Sequence, residues 1–153
     1  MTRTGRGWQA LAAAIALAGA LAAPVRADLK SALAEPNLEK RSKLALDNAE
    51  EAYKSVRSAY ETGDNARVTD AAKEIVESID LAYASLTGTG KDPRKSPKWF
   101  KRAEIETRDL LRRLSGFQEQ MSFDDRPLLD PAKAKLQQVH DNLLVGLMEG
   151  KHK

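Results

Sequence analysis

The stretch DNARVTDAAKEIVESIDLAYASLTG, residues 64–88, decides the fold. Val68, Ala72, Ile75, Ile79, Ala82 and Leu86 recur at alternating steps of four and three. That spacing lines them along one face of an α-helix and fits no strand, whose faces repeat every second residue. Asp64 stands where an N-cap belongs and Gly88 where a helix-ending glycine belongs. The pattern predicts a helix over about 65–86.

Working outward, the preceding segment PNLEKRSKLALDNAEEAYKSVRSAYETGD, residues 36–64, repeats the same period through Leu38, Ala45, Ala49, Ala52, Val56 and Ala59. Asn37 is placed to cap this helix and Gly63 to stop it, which predicts a helix over about 38–61. The short TGD joint folds the two into an antiparallel hairpin. Downstream, Ser96 and Pro97 read as a cap followed by proline at the first helical position. Phe100, Ala103, Thr107, Leu110, Leu114, Phe117 and Met121 then stay in phase, predicting a helix to about residue 121 that runs through Gly116. Asp130 and Pro131 repeat the cap arrangement ahead of Leu136, Val139, Leu143, Leu144 and Leu147, and Gly150 closes the last helix. Residues 37–150 thus read as one all-α domain, an antiparallel up-down-up-down four-helix bundle built from two helical hairpins. Residues 28–36 form a short N-terminal segment and 151–153 a tail.

The fragment AYETGD, residues 59–64, is similar to the turn of a tetratricopeptide repeat. The helices exceed that repeat's roughly 34-residue pair and no second copy follows.

Residues 1–27 read as a secretory signal peptide, cleaved before Asp28. Arg3 and Arg6 precede the apolar run ALAAAIALAGALAA, and Val25 and Ala27 are the small residues ahead of the cut. That run is shorter than the roughly 20 apolar residues a membrane span needs. The expected location is periplasmic or extracellular. With Arg3, Arg6 and Arg26 removed, the 25 basic residues fall to 22 and match the 22 acidic ones. The basic balance of the whole chain therefore belongs to the leader and makes no case for nucleic acid. Charge is nevertheless uneven, with 12 acidic and 8 basic residues over 28–88 against 9 basic and 4 acidic over 89–113.

The absence of cysteine excludes disulfides, thiolate metal sites and covalent c-type haem. Beyond the leader, only His140 and His152 are histidines, and Gln137 stands where a Glu-x-x-His pair would need glutamate, so no ferritin-like di-iron site or three-histidine zinc site is encoded. Asp124, Asp125 and Asp130 lack the glycine and alternating spacing of a calcium loop. No nucleophile sits in a recognisable constellation, and the reading is of a protein that is no enzyme and needs no cofactor.

The densest chemistry lies in KDPRKSPKWFKR, residues 91–102. Lys91, Arg94, Lys95, Lys98, Lys101 and Arg102 surround Trp99, with Asp92 as the one acid. Cations at a helix start oppose the macrodipole, and together with unpaired amides they describe an anion site. The competing reading is a solvated helix with internal pairs, Glu104 with Arg108, Asp109 with Arg113 and Arg102 with Glu106. Lys98, Arg102, Ile105, Asp109, Arg112 and Arg113 share the face opposite the core. The expected function is a binding or assembly module of the cell envelope whose seven-residue basic surface meets an anionic envelope component, an acidic protein surface or a second copy of the chain. A purely structural homo-oligomer is one alternative. Another follows from resemblance. In size, compartment and helix count the chain resembles exported four-helix bundles that hold haem b through one His and one Met. The resemblance implies His140 and Met121 as ligands, although that family's Met lies early in its first helix, where this chain has none.

Overall fold

The computed structural model describes residues 29–150, all of whose regular structure is helical. Residues 1–28, which include the expected signal peptide, and the 151–153 tail lie outside the described residues. Five α-helices follow in order, α1 (Leu29–Ala34), α2 (Leu38–Glu61), α3 (Asn65–Gly88), α4 (Pro97–Gln120) and α5 (Asp130–Glu149), with a 3-10 turn over Arg126–Leu129 before the last.

Local chemistry sets most of these boundaries. The Asn37 Oδ1 accepts from the Lys40 amide at 2.9 Å, and Asp64 caps α3 the same way through Arg67. Between them the chain reverses at Gly63, whose φ of +71° is open to glycine without strain. Asp64 N donates back to Ala59 O at 2.9 Å, satisfying a carbonyl left over at the end of α2.

Two expected caps are corrected. Ser96 precedes α4 but makes no side-chain capping bond, so the Pro97 ring carries that start alone. Asp130 is already helical, and its Oδ1 accepts from Gln118 Nε2 at 2.7 Å instead of capping α5. The 28–36 segment also holds more order than its sequence suggested. Six residues are too few to show a period, yet α1 buries Ala32 against α2, and Pro36 ends it by disfavouring helix at Glu35. Arg41 Nε clamps the junction by donating to Glu35 O at 2.8 Å.

The phased apolar residues meet in one core. Ile75, Ile79 and Leu86 of α3, Leu110 and Leu114 of α4, and Leu136 and Leu143 of α5 are fully buried. α2 contributes mainly Ala45, Ala49, Ala52, Val56 and Ala59, small side chains that let it pack closely on α3. α2 packs on α3 and α4, and α5 packs on the same two. Across the α2–α3 interface Asn48 Nδ2 donates to Ser78 Oγ at 2.7 Å. Phe117 joins α4 to α2 by edge contacts with Tyr53 and Tyr60, its ring also lying 5.6 Å from the Arg57 guanidinium.

α4 continues through Gly116, whose phase-keeping neighbours Phe117 and Met121 are buried as expected. A Cβ there would meet nothing within 4 Å. Gly116→Ala is therefore expected to stabilise the protein by about 1 kcal/mol, the helix-propensity difference, measured as a rise in the denaturation midpoint with an unchanged slope.

Candidate functional site

The linker over 89–96 determines where the basic residues go. Asp92 organises it, with its Oδ1 accepting from Arg94 N at 2.8 Å and its carbonyl from Lys95 N and Ser96 N. The turn this builds lies over the end of α5, where a Cβ at Gly150 would sit 3.0 Å from Arg94 Cδ. At the same end of the molecule Leu38 Cδ1 is 3.5 Å from the Cβ position of Gly88. Neither α3 nor α5 has a basic residue in its last turn. The aliphatic part of Arg94 lies against the end of α5, whereas the Lys91 ammonium is taken by Glu39 in the first turn of α2. Sequence alone read both as part of an anion-binding surface at the start of α4.

The seven proposed site residues consequently divide. Lys91 Nζ pairs with Glu39 Oε1 at 2.6 Å, and Arg102 Nε with Glu106 at 2.7 Å. Lys98 Nζ stands 5.4 Å above the ring of Trp99, which is half-buried against the core. Lys95 and Lys101 are exposed and make no ion pair among the described residues. Of the three internal pairs, Glu104 with Arg108 forms at 3.2 Å and Arg102 with Glu106 forms too, but Asp109 takes Arg112 at 3.3 Å. Arg113 instead reaches α2, where Glu50 bonds it and Tyr53 lies 5.4 Å beneath it. The hydrogen bond that Arg113 donates to Glu50 raises the Arg113 pKa above its ordinary value, against the opposing pull of burial.

At about 100° per residue, Lys98, Lys101, Ile105, Arg108 and Arg112 form a straight outward stripe on α4, and all five are exposed. Glu104, one step toward α5, contacts His140 Nε2 at 3.2 Å. One turn beyond His140 come Leu144, 41% exposed, and then Met148, 70% exposed. The register of α4 against α5 therefore sets apolar side chains beside the cations. Sequence reading counted Leu144 as core and passed over Met148, because a helix edge and a helix face share the same period.

His140 and Met121 are not brought together. Met121 is buried at the far end of α4, whereas His140 is held between Glu104 and Asp141, each at 3.2 Å. Seventeen residues of helix separate Glu104 from Met121, about 25 Å at 1.5 Å per residue. One iron cannot take both as axial ligands. Among the described residues no group of three His, Asp or Glu side chains converges as a metal site, and no helix is long and apolar enough to cross a membrane.

A pocket of about 400 Å³ opens at the same end, between Tyr83 and Thr87 of α3, Lys91 of the linker, Phe100 of α4, and Asn142 and Leu143 of α5. No motif announces it, since each wall comes from a different element. No protein-family model, no curated protein and no solved structure matches the chain.

Proposed function

We propose that the protein is an exported, non-enzymatic four-helix bundle that docks peripherally on the anionic, phosphate-bearing lipid surface of the cell envelope. Residue pairs support the bundle. Leu38 with Gly88 and Asn48 with Ser78 step in opposite senses along α2 and α3, as do Glu104 with His140 and Gln118 with Asp130 along α4 and α5. Tyr53 with Arg113 and Tyr60 with Ser122 step in the same sense on α2 and α4. These pairs fit two antiparallel hairpins laid side by side, leaving the outer face of α4 to solvent.

The observation that carries the reading is the exposed stripe of Lys98, Lys101, Ile105, Arg108 and Arg112 beside Leu144 and Met148. Cations interleaved with exposed apolar side chains suit a charged interface, where the former meet phosphates and the latter enter the headgroup layer. Cosedimentation with vesicles tests it. Binding is expected to vesicles containing phosphatidylglycerol and not to pure phosphatidylcholine, strong at ~20 mM salt and weak at ~500 mM, where screening is nearly complete over a few ångströms. Equal binding to both lipids, or none to the anionic vesicles, rejects the reading.

A further inference from the structure

The pocket beside this face has the makings of a small-molecule site. Its volume of about 400 Å³ falls within the roughly 300–1,000 Å³ of ligand pockets. Phe100 and Leu143, both nearly inaccessible to solvent as a whole, supply apolar floor. Tyr83 and Asn142 line the same space, and neither side chain has a hydrogen-bond partner among the described residues. Lys91 stands at the rim, and its ammonium has three donors, of which Glu39 takes one.

The sign of the ligand follows from the electrostatics of this end. Contacts of Leu38 with Gly88 and of Arg94 with Gly150 bring the starts of α2 and α4 together with the ends of α3 and α5. Two positive and two negative helix ends offset one another, so formal charges decide. Lys91, Arg94, Lys95, Lys98 and Lys101 outnumber Glu39, Asp92 and Glu149.

We infer that this pocket binds a small amphipathic carboxylate, its apolar body against Phe100 and Leu143 and its carboxylate received by Lys91, with Tyr83 and Asn142 as further donors. The site is distinct from the outward stripe of α4, and its failure would leave the lipid-docking reading standing.

Octanoate, octanol and octylamine serve as matched probes, followed by calorimetry and by the methyl resonances of Leu143 and Val145. Octanoate is expected to saturate a single site and shift those methyls, while octylamine does not bind. Lys91→Met should weaken octanoate about tenfold or more, as loss of a charge-assisted bond does, and leave octanol unchanged. Tyr83→Phe, which preserves shape, should weaken octanoate by a smaller factor. Asn142→Phe, at an exposed helical position, should fill the pocket and remove octanoate and octanol together, with circular dichroism confirming the fold. The inference is overturned if octanoate fails to saturate at millimolar concentration, if it binds equally well to both Lys91→Met and Asn142→Phe, or if octylamine binds as tightly.

Discussion

The quadruple variant Lys98→Glu, Lys101→Glu, Arg108→Glu and Arg112→Glu is expected to lose detectable binding to anionic vesicles while still folding. A cation close to an anionic bilayer contributes about 1 kcal/mol, so removing four lowers the affinity on the order of a thousandfold before the added repulsion is counted. All four side chains are exposed, and none supports the core. Two ion pairs, Arg108 with the buried Glu104 and Arg112 with the exposed Asp109, are lost with them. An exposed pair such as Arg112 with Asp109 contributes roughly 0–1 kcal/mol, and the buried Glu104 keeps its contact with His140. A melting temperature within a few degrees of the parent is therefore expected alongside the lost sedimentation. Lys54→Glu and Lys73→Glu, exposed on α2 and α3, provide the contrast. If they reduce binding as much per charge, net charge alone governs association and α4 is no docking face.

Phe117→Ala is expected to destabilise the protein by about 3–5 kcal/mol, the range for deleting a large buried aromatic side chain. Phe117 is 8% exposed, and its ring meets Tyr53 and Tyr60 at centroid separations of 6.4 and 5.7 Å, both edge-on. Such pairs each add roughly 0.5–1.5 kcal/mol beyond area burial, and the Arg57 guanidinium gains from the same ring. Tyr60 also accepts from Ser122 N at 2.8 Å, so displacing its ring loosens the start of the 122–129 connection. Against the usual total of about 5–15 kcal/mol the loss is severe. Chemical denaturation measures it, and Phe117→Leu should recover a substantial part. A change below about 1 kcal/mol for the alanine variant would mean that Tyr53 and Tyr60 close over the gap and that α2 and α4 do not depend on this contact.

The helices were legible because each is long enough to repeat its apolar period several times and is punctuated by glycine or proline. Observed ends fall within two residues of those read from Asn37, Gly63, Asp64, Pro97 and Gly150. α1 escaped because six residues contain fewer than two turns. Caps were read from residue type, but Asp130 had a second suitor in Gln118, a buried amide twelve positions earlier, and tertiary hydrogen bonding won. The basic stretch was found, whereas its division was not. That Lys91 meets Glu39 of α2 and Arg94 lies over the end of α5 depends on which helices surround the linker, and neither spacing nor composition carries that. The same holds for the pocket and for Leu144 and Met148, which are defined by the register of one helix against another.

The three-residue joint between α2 and α3, closed by Gly63 and Asp64, also bears on how fast the chain finds its structure. Contacts such as Ala59 with Asp64 and Asn48 with Ser78 span at most a few tens of residues, so little loop entropy opposes them. The α2–α3 pair is thus suited to nucleate, with α4 and α5 joining as a second unit, and the whole should fold in the microsecond-to-millisecond range of helical proteins with local topology. The 89–96 linker can settle over Gly150 only after both units have met. Amides there should exchange with solvent well before those at the centre of α3.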